Sequence, residues 1–219
     1  MAGGPTVFHP TVAHKHMPSR RWSDIQANPN SSWYLNGLCK IMSPRALVDA
    51  ALFGKFGDKP IAKTHLNHYL TGKGKDIVED ANIEMMLRQD SGVKSMIAAR
   101  IPGAMRTGTI TRFFKVEQSD YENQDLRFAF GAIDRLDIEV DFDAQTVHAW
   151  FQDSYEWHPY YPGLYTAFPD DGARETNCLH AALVELKDSG AADFWMKGET
   201  TVPLSVIVPG GRGGGGSAW

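Results

Sequence analysis

Apolar residues recur first at helical spacing and then, beyond Pro102, in alternation, so the pattern divides the chain into a helical half and a strand half. Ser43-Pro44 places an N-cap hydroxyl before a first-turn proline. It predicts a helix that stops at Gly54, with Ala46, Leu47, Ala50 and Ala51 on one face. A second helix is predicted from Pro60 to Gly72, carrying Ile61, His65, His68 and Tyr69 on related faces. A third, from about Asp76, groups Ile83, Met86 and Leu87, and a short fourth covers Ser91 to Arg100.

In the strand half, Leu136, Ile138, Val140 and Phe142 alternate with Asp137, Glu139 and Asp141, which predicts one buried face and three solvated carboxylates. Asp143-Ala144-Gln145-Thr146 then reads as a hairpin turn. On the return strand Val147, Ala149 and Phe151 share the inner face, and continuing that register puts Asp153 and Tyr155 on it as well. A bare carboxylate in an apolar row is costly. Asp153 must therefore be paired, bind metal or stand at the rim of a cavity, and the choice lies between a structural pairing and a site.

Thr176 or Asn177 caps a late helix in which Leu179, Ala182, Leu183 and Leu186 share a face, ending at Ser189-Gly190. His180 falls in its first turn, where the helix dipole favours a neutral ring and free N–H groups can receive a phosphate oxygen. Two closing strands are expected near Phe194 to Met196 and Val202 to Val208. The class that follows is α+β, with N-terminal helices, then a largely antiparallel, curled, half-barrel-like sheet and one late helix.

Composition narrows the function. The apolar and charged fractions, 42% and 22%, are those of a globular chain, and 219 residues suit one good-sized domain with an accessory segment. The formal charge of -4 argues against a nucleic-acid partner, which needs a basic face. Charge is unevenly shared: seven Lys or Arg against three acids up to Pro60, then eleven acids against Arg127 and Arg135 between Glu117 and Glu156. Cys39 and Cys178 are read as two separate buried thiols, and His9, His14 and His16 as solvated histidines. No export signal precedes the first helix, and no window approaches about 18 apolar residues, the length of a membrane span. The expected division is an N-terminal arm and helical segment over 1–58, a main domain over 59–208 and a Gly-rich tail over 209–219 that looks like an engineered linker.

Several stretches point to one family. Pro60-Ile61 leads to His68-Tyr69-Leu70-Thr71-Gly72-Lys73-Gly74 and on to Asn82-Ile83. Asp120-Tyr121 through Gly131-Ala132 and Leu136 to Val140 then lead into Asp153-Ser154-Tyr155-Glu156, followed by Ala182-Leu183 to Leu186. In this order, from about Lys59 to Val208, the chain resembles the catalytic domain of colicin M-like bacteriocins. Asp153-Ser154-Tyr155-Glu156 is similar to the first half of their Asp-x-Tyr-Asp signature, with Glu156 in place of the last aspartate. The family's His-Arg pair falls where this chain has Pro162-Gly163. His180 takes that role in our reading, with an insertion from about Trp157 to Thr176 and His158 as the alternative.

The resemblance implies an antibacterial toxin that hydrolyses lipid II, the undecaprenyl-linked peptidoglycan precursor, between lipid and pyrophosphate, with a divalent cation, Mg²⁺. It implies Asp153, Tyr155, Glu156 and His180 as catalytic residues, Asp153 and Glu156 as metal ligands and Arg174 on phosphate. Tyr155 is expected to pack or position, and His65 and His68 to be structural. Without a leader, the expected route is injection by a type VI secretion machine, with 1–58 as adaptor, action in the target periplasm and an immunity protein as partner. The competing expectations are a non-enzymatic interaction protein on the same scaffold and a nuclease toxin.

Overall fold

A computed structural model describes residues 42–101, 107–157, 179 and 182–208. Cys39, Cys178, the three N-terminal histidines, His158, Arg174, His180 and the Gly-rich tail lie outside these. The helices are α1 (Pro44–Phe53), α2 (Pro60–Thr71), α3 (Asp80–Gln89), α4 (Ser91–Ala98), α5 (Gln124–Phe130), α6 (182–186) and α7 (Leu204–Ile207). The strands are β1 (Ile77–Val78), β2 (Thr109–Val116), β3 (Ile133–Asp141), β4 (Thr146–Tyr155) and β5 (Phe194–Pro203).

Local chemistry accounts for the helix starts. Ser43 Oγ accepts the Ala46 N–H at 3.2 Å, as its place before Pro44 predicts. The buried face of α1, however, is Leu47, Val48 and Leu52, while Ala46 and Ala50 are exposed, because the larger side chains remove more apolar area from water. Lys59 supplies no side-chain cap to α2. Asp125, on the first turn of α5, does so instead, accepting the N–H groups of Ile61 at 3.0 Å and Ala62 at 2.8 Å. A carboxylate thus serves the positive end of one helix from the start of another.

Asp90 caps α4 in a similar way. It is buried, and it accepts from Val93 N–H at 3.0 Å and, across to the chain entering α5, from Glu122 N–H at 3.3 Å and Asn123 N–H at 2.9 Å. That junction leaves no room beside Gly92, where a Cβ would stand 2.0 Å from the Asp120 carbonyl oxygen. Alanine inside a helix ordinarily gains up to about 1 kcal/mol over glycine. Gly92→Ala is expected instead to lose about 1–3 kcal/mol in urea denaturation, because α4 and the 118–120 turn must part.

The sheet runs β1-β5-β4-β3-β2, with β1 parallel to β5 and every other pair antiparallel. The class is α+β. Leu136, Ile138 and Val140 of β3 and Val147, Ala149 and Phe151 of β4 are buried as the alternation predicts. They share one core with Leu47, Val48 and Leu52 of α1, Leu66 and Tyr69 of α2, and Ile83, Met86 and Leu87 of α3. Asp141 Oδ1 holds the hairpin turn through the Asp143 and Ala144 N–H groups at 2.9 and 2.8 Å.

Three further expectations change. The third helix begins at Asp80, because Ile77–Val78 leaves to pair with Met196 and Lys197. The closing strands are one strand, β5, which runs through to Pro203, and residues 204–207 turn into α7 once Leu204 N–H finds the Gln145 carbonyl at 2.8 Å. Asp137 is not solvated but only 8% exposed. It stands in register between Phe113 and Trp150, under a bidentate Arg135 guanidinium at 2.8–3.0 Å. Among the described residues no helix is long and apolar enough to cross a membrane.

Candidate functional site

β4 carries the anomalous carboxylate. Its inner row, Val147, Ala149 and Phe151, continues into Asp153 and Tyr155, both half-buried, as strand geometry requires. Asp153 stands opposite Met196 of β5. On the other side lies the start of β3, where the β2 and β3 ladder is irregular between Phe114 and Val116. The Asp153 carboxylate accepts the Ser154 N–H at 2.8 Å and the Asp134 N–H. Burial pushes its pKa up to about 7, and the negative charges of Asp134 and Glu156 push the same way against those two bonds. A carboxylate in this state exchanges a proton near neutral pH, as general acids and bases do.

Tyr121 completes the neighbourhood, and the sequence pattern gave it no role. Its ring is buried just before α5, and its hydroxyl is buried with no hydrogen-bond partner among the described residues. Burial raises its pKa most, followed by the charges of Asp153, Asp90 and Asp120. Neither its spacing nor its surroundings in sequence separates it from an ordinary core tyrosine.

Tyr155 turns into an aromatic cluster. Its ring stacks on Phe194 at 4.9 Å and meets the edges of His65 and Trp157, each at 5.9 Å, with Tyr69 at 6.1 Å. Burial raises its phenol pKa too. This is the packing place expected of it. Glu156 follows the strand end and is exposed.

His65 and His68 are engaged within the fold. His65 Nδ1 donates to the Ala129 carbonyl at 2.9 Å, and Nε2 is hydrogen-bonded to Glu79 Oε1, also at 2.9 Å. Both side chains are buried, and Asn82 Nδ2 donates to the other Glu79 oxygen at 2.5 Å. Glu79 is held in place by its own N–H, which donates to Lys197 O at 2.8 Å. A Cβ on Gly198 would come within 3.0 Å of the Glu79 carbonyl carbon, so glycine lets β5 pass that close. His68 Nε2 bonds the Lys75 carbonyl at 2.6 Å, and its ring packs on Phe194.

Of the residues expected to form the site, the structure therefore brings Asp153, Tyr155 and Glu156 to one end of β4, while His180 and Arg174 lie outside the described residues. A separate depression of about 270 Å³, lined by Arg45, Leu70, Leu186, Ser189 and Ala191, includes none of the candidates. Among the described residues no group of three or more His, Cys, Asp or Glu side chains is arranged to hold a metal ion. Comparison with protein-family models, with curated proteins and with solved structures finds no match.

Proposed function

We propose that this chain is a phosphoester hydrolase whose reactive carboxylate is Asp153, with lipid II as substrate, in the manner of the colicin M-like toxins that its motifs resemble. The observation that carries the reading is the place of Asp153, a half-buried carboxylate at the end of an inward row, desolvated and set beside Asp134 and Glu156. Such a placement has no value for packing, and it suits a group that meets charge or a proton only when substrate arrives.

Cleavage between the lipid and its pyrophosphate adds water to phosphorus and expels the lipid alkoxide, which must gain a proton. Magnesium fits the oxygen donors, since it takes one or two carboxylates plus substrate phosphates, and a cation relieves the repulsion among Asp153, Asp134 and Glu156. Asp153 and Glu156 would hold it, and bound there it supplies charge compensation on the phosphate oxygens. Because burial keeps a proton on Asp153 up to about pH 7, that residue must release the proton to serve as a ligand, so loading is tighter above neutrality. His180 takes the proton of the attacking water and passes it to the departing lipid oxygen, Arg174 binds phosphate, and Tyr155 holds the strand end by packing. In this reading the chain is injected by a neighbouring cell and acts in the periplasm, where the lipid II head group is exposed, with an immunity protein in the producer.

The test is product analysis with purified lipid II and Mg²⁺. A pyrophosphorylated head group should appear, be lost on chelation, and be absent with Asp153→Ala at unchanged circular dichroism. The loss expected is about 10²-fold or more in rate. In cells, lysis should follow export to the periplasm and not cytoplasmic expression. Intact lipid II, or full activity of the folded variant, would overturn the reading in favour of a non-enzymatic role.

A further inference from the structure

Tyr121 is fixed from both sides along the chain. Before it, the Glu117 N–H donates to Asp120 Oδ2 at 2.7 Å and the Asp120 N–H to the Glu117 carbonyl at 2.9 Å. After it, the Glu122 and Asn123 N–H groups are bound by buried Asp90, and Ser91 Oγ donates to the Glu122 carboxylate. The ring is only 5% exposed and packs in the core, yet its hydroxyl meets no hydrogen-bond partner among the described residues. Phenylalanine would fill the same space without taking a polar group out of water, which is costly when no bond replaces it. The hydroxyl therefore adds nothing to packing and calls for a partner that the core does not supply.

Three carboxylate charges reach that hydroxyl, Asp153 most strongly, then Asp90 and Asp120. Two of them are committed elsewhere. Asp90 accepts the Val93, Glu122 and Asn123 N–H groups with its two oxygens, and Asp120 accepts the Glu117 N–H. Asp153, half-buried, accepts the Ser154 and Asp134 N–H groups, which leaves acceptor capacity on a carboxylate with about four lone-pair sites. The fold gathers these parts at one place. Val116 at the end of β2 pairs with Ile133, and the next residue, Asp134, bonds Asp153. α5, which starts just after Tyr121, sets Phe130 against Phe151 of the same inner row as Asp153, their ring centres 5.6 Å apart.

We propose that Tyr121 is the positioning residue of Asp153, its O–H donating through one bound water to the carboxylate and keeping it turned toward the reacting phosphate. The assignment rests on Asp153 being the reactive carboxylate, as proposed above. A phenol suits the task, because it offers one donor on a rigid, uncharged ring and so holds the carboxylate without neutralising it.

Tyr121→Phe keeps the ring and removes the hydroxyl. With purified lipid II and Mg²⁺ it should lower kcat about tenfold, the worth of one hydrogen bond to a charged group, and leave KM within about twofold. A second arm needs no substrate. In metal-free urea denaturation at pH 8, Tyr121→Phe should lower the folding equilibrium constant about tenfold in the parent. In the Asp153→Ala background, where the bond has lost its acceptor, it should not lower it. Equal effects on stability in both backgrounds, or an unchanged kcat in an active parent, would overturn the proposal and leave Tyr121 as a core residue. A parent that spares lipid II would overturn the substrate, and the stability cycle would still decide whether Tyr121 serves Asp153.

Discussion

Asparagine at position 153 is expected to give a protein that is more stable than the parent at pH 8 and unable to hydrolyse lipid II. The sign follows from where the carboxyl titrates. In the fold burial pushes Asp153 up to about 7, whereas in the unfolded chain it titrates near 3.9. Between about pH 4 and 7 the native state therefore binds more protons than the unfolded one, and stability falls as pH rises through that window. Below it the penalty vanishes, and above pH 7 it is complete. Asparagine keeps an acceptor for the Ser154 and Asp134 N–H groups and removes the charge. In metal-free urea denaturation it should gain about 2–4 kcal/mol over the parent at pH 8 and little at pH 4. A variant less stable than the parent at pH 8 would identify Asp153 as a paired structural carboxylate and remove it from the site.

The opposite sign is expected at the buried pair on the other side of the same cluster. Removing His65 leaves Glu79 buried against Asn82 alone, and frees the Ala129 carbonyl. His65→Ala should cost about 3–5 kcal/mol, the range for breaking one side of a buried pair. Glu79→Ala should cost a similar amount. The double variant His65→Ala with Glu79→Ala should cost less than the two losses added, with a coupling of at least about 1 kcal/mol, since neither partner is then left buried without the other. Additive losses in the double-mutant cycle would show that the two residues stabilise the fold independently.

Periodicity revealed what is long and regular. The span of α2 and the inner rows of β3 and β4 could be read from spacing alone, and the same alternation singled out Asp153. Elements held from a distance left no local mark. β1 is two residues whose partner lies beyond residue 190, and α5 occupies seven residues in an acidic stretch, with its cap at Asn123 and its anchor at α2. β2 was hidden for a different reason. A margin strand need not alternate, and here Phe113 and Phe114 are adjacent, one exposed and one buried. Glu79 read as one more acid before a helix, because nothing local shows that His65 waits for it. Tyr121 was marked only as part of a resembling stretch, because whether a buried hydroxyl meets a partner depends on its surroundings and not on the sequence beside it.

The order of strands also bears on how a ribosome delivers this molecule. β3 and β4 are joined by a four-residue turn, and β2 lies close before them, so three adjacent strands emerge together and form by local contacts. β5 belongs beside β4 and follows it by about forty residues, yet it also pairs with β1, and its Glu199 N–H donates to Asp80 Oδ1 at 2.9 Å. At about 5–20 residues per second, β4 stands uncovered for several seconds while the rest of the chain is synthesised. Helices α1 to α4 are complete long before the strand that fixes α3 against the sheet. A nascent chain arrested between Tyr155 and Phe194 therefore carries β4, Asp153 included, without the strand that pairs with it.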